Sequence, residues 1–348
     1  MKKKYTIHDI AKKLNITAST VSRALNDHPR ISEATKKAVQ KIALKLNYQP
    51  NNIAAALRNG HSNIIGIIVP TIDRSFFASI VRGIEEVANA SRYNVMICQS
   101  YDQYEKEVAN VETLLNARVD GIIVSHAKET KDFDHLRKVR EKGIPVVMID
   151  RTNDNLEASQ VVIDDYLAAF KATEHLIEQG CKRIAHFTNT LKINIYKERL
   201  RGYKEALFAH GLPYDESYVI ESNLQLEDGR NSMLKLLSQK PLPDGVFSAS
   251  AYGIMGALQV LKEKGVKVPE EIALIGFTNE PFTSFSEPAL SIVEQHSMRM
   301  GNAAAEIFLE EIADEEKKYI PQKVVLKPEL ILRGSSLRKK KLNDVEKA

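Results

Sequence analysis

The sequence predicts a small all-α head joined to an α/β body of two parallel-sheet subdomains. Three observations point there. Charge is divided unevenly along the 348 residues: positions 1–60 hold 12 Lys and Arg against 3 Asp and Glu, whereas the remainder holds 37 against 42. Short helical patterns with cap residues occupy that basic stretch. From residue 63 onward, β-branched runs alternate with helical ones, the rhythm of parallel sheets covered by helices.

The head begins at Thr6, with Asp9 three residues later as a capping box ahead of "DIAKKL". Leu14-Asn15 breaks this first helix. Thr17 stands where it caps a second, "ASTVSRAL", and Ser32 caps a third, "EATKKAVQKIALKL". Ile10, Leu14, Val21, Leu25, Val39, Ile42 and Leu46 form a shared core, which turns Ala18, Ser19, Ser22 and Arg23 outward. A merely solvated bundle would carry Glu and Lys on that face. Short side chains instead permit close approach, hydroxyls donate or accept, and Arg pairs with guanine edges. Helix, tight turn, helix and a supporting third helix is the geometry that places one helix in a major groove. A basic head on a mildly acidic carrier fits a polyanionic partner.

The link "NNIAAALRNG" (51–60) has helix-forming alanines and Gly60 as a stop. Isolated helices under roughly 12 residues are marginal, so it is expected to fold only against something else. Beyond it, nine runs read as strands: 63–70, 94–100, 120–125, 145–150, 159–164, 183–188, 218–222, 245–250 and 271–278. Nine such units exceed one ordinary open sheet and fit two similar halves. Ligands of open α/β sheets sit beyond the carboxyl ends of strands. Ser125, Asp150-Arg151, Asp164-Asp165 and Thr278-Asn279 therefore stand out.

Motifs for catalysis are missing. The sequence has no G-x-x-x-x-G-K, G-x-G-x-x-G or G-x-S-x-G, and "VRGIEE" holds only a helix glycine. The nine histidines follow no metal-ligand spacing. A non-enzymatic chain without cofactor or metal is expected. Cys98, in "NVMICQ", reads as a buried small hydrophobe, and with Cys181 far away no disulfide framework exists. No secretory pattern follows the basic N-terminus and no apolar run approaches membrane length, so the expected location is cytoplasmic, away from any membrane.

Residues 6–60, "TIHDIAKKLNITASTVSRALNDHPRISEATKKAVQKIALKLNYQPNNIAAALRNG", resemble the DNA-binding head of the lactose/galactose repressor family of bacterial transcription regulators. "NIIGIIVP", "FFASIVRGIEE", "RVDGIIV", "IPVVMIDR", "ERLRGYKEAL" and "IALIGFTNEP" extend the resemblance over almost the whole chain. It implies a transcriptional repressor with a periplasmic-binding-protein-like body that takes a small sugar-like effector between its subdomains. A periplasmic binding protein itself would share the body but not the basic head. The resemblance sets a head at 1–50, a hinge helix and linker at 51–61, a body at 62–335 and a basic tail without fixed structure at 336–348. The N-subdomain is expected at 62–162 and 292–323, the C-subdomain at 163–291 and 324–335.

By the same resemblance, DNA contacts fall at or near Thr17, Ala18, Ser19, Thr20, Ser22, Arg23 and Asn26, with Thr6 beside them. Ala18 and Ser19 occupy the two positions that most influence operator choice. In the hinge, Leu57 matches a leucine wedged between central base steps of the minor groove, and Ala54 is small enough to let two hinges approach. Isologous pairing of two bodies would set two heads on a palindromic double-stranded operator. The tail "SSLRKKKLNDVEKA" lacks heptad leucines, so a homodimer is expected rather than a tetramer.

Phe76, Phe77, Asp150, Arg199 and Gln295 match the family's effector positions, with Ser125 at the end of its strand. The chain departs from the family pattern twice. The usual Asn-Asp is Ser250-Ala251, and the usual Asp after Gly-Phe is Thr278. Groups that commonly hold sugar hydroxyls are thus missing. Without an Asp at 278, Arg199 is expected to be unopposed and to favour an anionic, phosphorylated or acidic sugar. A neutral sugar held by Ser250, Thr278 and Asn279 stays equally open.

Overall fold

The computed structural model describes residues 5–25, 27–48, 61–314 and 320–338. Contacts divide the chain into two compact units, Met1–Ser62 and Asn63–Ala348.

The head holds α1 (Ile7–Leu14), α2 (Ala18–Leu25) and α3 (Glu33–Lys45). The Asp9 carboxylate accepts from the Thr6 backbone N–H at 2.8 Å and from its hydroxyl at 2.9 Å, which holds the start of α1. Asn15, at φ 50°, ends α1 in the left-handed conformation that Asn tolerates. Thr17 Oγ1 accepts from the Thr20 N–H at 3.2 Å and Ser32 Oγ from the Thr35 N–H at 3.3 Å, so both later helices are capped. Ile10, Val21, Val39 and Leu46 are buried together with Ala11, Ala24 and Ala43, while Leu14, Leu25 and Ile42 pack at the margin.

In the body, one six-stranded sheet contains β1 (Ile64–Val69), β2 (Asn94–Gln99), β3 (Gly121–Val124), β4 (Val146–Ile149), β5 (Ser159–Ile163) and β11 (Lys323–Leu326). The other contains β6 (Ile184–Thr188), β7 (Val219–Glu221), β8 (Gly245–Ser248), β9 (Ala273–Phe277), β10 (Ser291–Glu294) and β12 (Glu329–Ile331). Their orders are β11-β5-β4-β3-β1-β2 and β12-β10-β9-β8-β6-β7, parallel throughout except that β12 runs against β10. The repeated pattern β4-β3-β1-β2 and β9-β8-β6-β7 reverses direction between β3 and β1 and between β8 and β6. Those reversals are where open α/β sheets bind ligands.

The helices of the body are α4 (Ser75–Ala90), α5 (Tyr104–Asn116), α6 (Asp134–Glu141), α7 (Asp165–Glu178), α8 (Asn194–Ala209), α9 (Leu226–Leu237), α10 (Ala251–Glu263), α11 (Phe282–Phe285) and α12 (Ser297–Ala313). The glycine of "VRGIEE" has a packing reason. A Cβ on Gly83 would lie 2.2 Å from the Met298 carbonyl oxygen, and one on Gly301 would lie 2.1 Å from that of Ile80, so α4 and α12 touch backbone to backbone. No described helix is long and apolar enough to cross a membrane.

Four expectations need correction. β10 pairs with β9 through Val293, so residues 292–294 stay in the second sheet, and the chain crosses at Gln295-His296. β11 pairs with β5 through Leu326, so 324–326 stay in the first sheet. The tail begins later than expected: Ser336 is buried and bonded to Ser291 at 2.6 Å, and Arg338 donates to the carbonyls of Pro269 and Asp244 at 2.8 and 2.6 Å. Cys98 is half-buried rather than buried, because β2 is an edge strand whose Ile97 is also exposed. Cys181 is buried, which pushes its thiol up to about 12.

Candidate functional site

At the start of α2 the cap Thr17 is exposed, and on α2 itself Ser19 and Arg23 are exposed and Ala18, Thr20 and Ser22 half-exposed. Thr17 Oγ1 lies 2.8 Å from Ser19 Oγ and 2.9 Å from Thr20 Oγ1. Each hydroxyl keeps capacity for a further partner, since it carries one donor and two acceptor sites. Thr6 is exposed but its hydroxyl already serves Asp9. Asn26, Ala54 and Leu57, with the proposed hinge helix, lie outside the described residues.

In the body, the carboxyl ends of both sheets converge on a cavity of about 300 Å³. Its wall brings together Phe76, Phe77, Asp150, Arg199, Ser250, Thr278 and Gln295. Ser125 is not among them; it is fully buried and its hydroxyl has no hydrogen-bond partner among the described residues. Thr278 donates to Gln295 Oε1 at 2.6 Å, which ties the end of β9 to the crossover. Asp150 and Thr278 sit at φ 58° and 80°. Left-handed backbone is costly for a β-branched residue, and such strain collects at ligand sites.

Arg199 is not unopposed. Its Nε and Nη2 each reach Asp165 Oδ1 at 2.7 Å, its Nη1 donates to the Ala249 carbonyl at 3.0 Å, and the guanidinium lies 3.6 Å over the Phe277 ring. The opposing carboxylate comes from the first residue of α7, where a reading centred on position 278 could not see it. Burial pushes the Asp165 carboxyl up to about 7 against the lowering pull of Arg199. Arg151 also has a carboxylate partner, in a close ion pair with Asp102, which lies 3.4 Å from Lys128 Nζ as well; the buried Arg151 Nε has no hydrogen-bond partner among the described residues. Burial raises Asp102, but Arg151 and Lys128 outweigh it and hold the carboxyl below its ordinary range. Asp150 is pushed up by burial, with Arg151 and Arg199 opposing.

Several residues of the cleft escaped the sequence reading. Glu280, 4% exposed, accepts from Ser75 Oγ at 2.5 Å and from the Ser75 N–H at 3.4 Å across the subdomains. Its carboxylate at the start of α4 suits the positive helix end. Arg74 bonds Gln225 and lies 3.5 Å over the Tyr252 ring, and Asn194 Nδ2 donates to Thr152 Oγ1 at 3.2 Å. The signal for Glu280 was in "GFTNEP": a carboxylate two residues beyond the position where an Asp was sought. A second, wider compartment of about 1500 Å³ opens beside the first and shares Tyr101, Asp102, Lys128, Asn223 and Gln225 with it. Among the described residues no group of three or more His, Cys, Asp or Glu could hold a metal ion.

A helix-turn-helix head with a periplasmic-binding-protein-like body of two like subdomains defines a class of DNA-binding regulator. Residues 6–51 match the family described as bacterial regulatory proteins, lacI family, and residues 62–326 match periplasmic binding proteins and sugar binding domain of LacI family. The HTH-type transcriptional repressor PurR of Actinobacillus pleuropneumoniae serotype 3 (strain JL03) is 32% identical over 330 residues, 95% of this chain and 98% of that one. The chain belongs to the LacI family. Among solved structures, the transcriptional regulator CelR–cellobiose complex is similar at TM-score 0.72 and 27% identity, covering 95% of this chain and 100% of that one. The lac repressor dimer bound to operator and the anti-inducer ONPF has TM-score 0.85 at 22% identity, covering 97% and 100%, and shares the fold.

Proposed function

We propose that this protein is a sequence-specific repressor that binds a palindromic operator as a homodimer and releases or tightens its grip when a neutral, carbohydrate-like effector fills the inter-subdomain cleft. The observation that carries the effector reading is the charge balance of the inner cavity. Each cation of the wall has a carboxyl group beside it: Arg199 has Asp165, Arg151 and Lys128 share Asp102, and Arg74 Nε lies 3.6 Å from Asp73, so the cavity offers hydroxyl and amide groups and an aromatic wall rather than a free cation. That favours the neutral sugar over the anionic one. The sugar-binding domain description of the matched family and the cellobiose complex of CelR support the same ligand class. A regulator of this kind works beside the chromosome, in the cytoplasm.

Selection of genomic fragments by the full-length protein tests the reading. The expected result is enrichment of one two-fold-symmetric sequence bound by two copies. Enrichment without symmetry, or binding by one copy, would contradict it.

A further inference from the structure

Resting on the carbohydrate reading of the cleft, we propose that the effector has at least two sugar rings, one in the inner cavity and the next in the outer compartment against Tyr101 and Asn189. Ligand sites of ordinary size run from about 300 to about 1,000 Å³. The inner cavity of about 300 Å³ is at the small end, while the adjoining compartment of about 1500 Å³ is larger than one ring requires. The two adjoin at Tyr101, Asp102, Lys128, Asn223 and Gln225, and a linked pair of rings would lie across that boundary.

The outer wall has matching chemistry. Gln103, Asn153, Asn155, Asn189, Asn194 and Asn223 contribute side-chain amides from both subdomains. An amide donates and accepts at once, as each sugar hydroxyl does. Asn189 is 3% exposed; its Oδ1 accepts from the Thr190 N–H at 2.7 Å, which fixes the amide plane, while Nδ2 has no partner among the described residues. A buried amide donor left unpaired is destabilising, and this one lies in the wall of the compartment, shut off from solvent, where a ligand acceptor reaches it once the side chain turns.

Tyr101 stands where the compartments meet. It is 56% exposed, at φ 52°, and Asp102 follows at φ 62°. Two successive non-glycine residues in the left-handed region are strained, and the pairs from Asp102 to Arg151 and Lys128 hold them there. The result is an aromatic ring presented at the boundary of the two spaces.

Calorimetry on the full-length protein with glucose, galactose, mannose and xylose and with their di- and trisaccharides tests this. The expected result is a disaccharide that binds at least about tenfold more tightly than its own monosaccharide, about 1.4 kcal/mol. Asn189→Ala should remove most of that preference while leaving monosaccharide affinity unchanged. Should the buried substitution impair folding, Tyr101→Ala, at an exposed side chain that borders both spaces, should lower disaccharide affinity more than monosaccharide affinity. A monosaccharide bound as tightly as its oligomers, or a preference untouched by Tyr101→Ala, overturns the second ring but leaves the carbohydrate reading standing. Binding of no saccharide overturns both.

Discussion

At His186, burial decides what a histidine without metal partners is for. Its ring is fully buried, stacked 4.6 Å from Phe247 and 5.1 Å from Tyr203, with Nδ1 3.1 Å from the Phe247 carbonyl. Burial pushes its pKa down to about 3. The unfolded chain therefore takes up a proton that the folded chain refuses, and the stability this group contributes is complete above its unfolded value of about 6.5 and lost as pH falls toward 3. Asp165, raised to about 7, tilts the other way: its contribution is complete below its unfolded 3.8 and lost as pH rises through 7. Comparison of wild type with His186→Phe cancels Asp165 and isolates the histidine. Urea unfolding should show the stability difference shift by about 2 kcal/mol in favour of the variant between pH 6.5 and 5. A difference independent of pH would contradict the buried neutral ring. On α2, replacing Ala18 and Ser19 by larger residues should change the preferred half-site while leaving salt sensitivity nearly intact, because base contacts specify and phosphate contacts position. Competition between operator variants checks this, and an unchanged preference would count against the reading face. Residue roles were legible where they rest on local pattern, as for the caps Thr17 and Ser32. Arg199 was misjudged because its partner Asp165 is 34 residues away and reaches it only through the packing of α7 on α8.

Among the elements, the joint between α4 and α12 is the least tolerant. Gly301→Ala places a methyl 2.1 Å from the Ile80 carbonyl oxygen, so two helix backbones must separate. Overpacking of this kind typically costs about 1–3 kcal/mol. Chemical denaturation of the variant should show that loss, and unchanged stability would mean the helices do not meet there. Most of the nine strands read from the sequence are legible as apolar runs buried on both faces, as in β1 and β4, while the edge strands β2 and β7 show through their β-branched residues although they are partly exposed. β11 and β12 escaped because every residue in them is exposed or half-buried; length does not set them or β10 apart, since β3, β4 and β8 also have four residues. Since those strands carry the last two crossovers, missing them displaced the subdomain boundaries by a few residues.

At the scale of the whole molecule, the proposed function divides between the head and the body. The head carries 12 Lys and Arg against 3 Asp and Glu through residue 60, so its DNA affinity should fall with log salt by about 0.9 per phosphate contact. A titration between low and high salt checks the slope, and a flat line would exclude phosphate contacts. In the body, Ser75–Glu280 and Arg74–Gln225 already join the subdomains across the cleft where the effector is proposed to bind. A ligand between them changes DNA binding only if it favours one subdomain arrangement over another. The most direct measurement is therefore linkage: operator affinity with the cleft empty and saturated by the saccharide that binds it, and saccharide affinity with and without operator. The account predicts the same factor in both directions, about 5- to 150-fold. A factor of one both ways would contradict it.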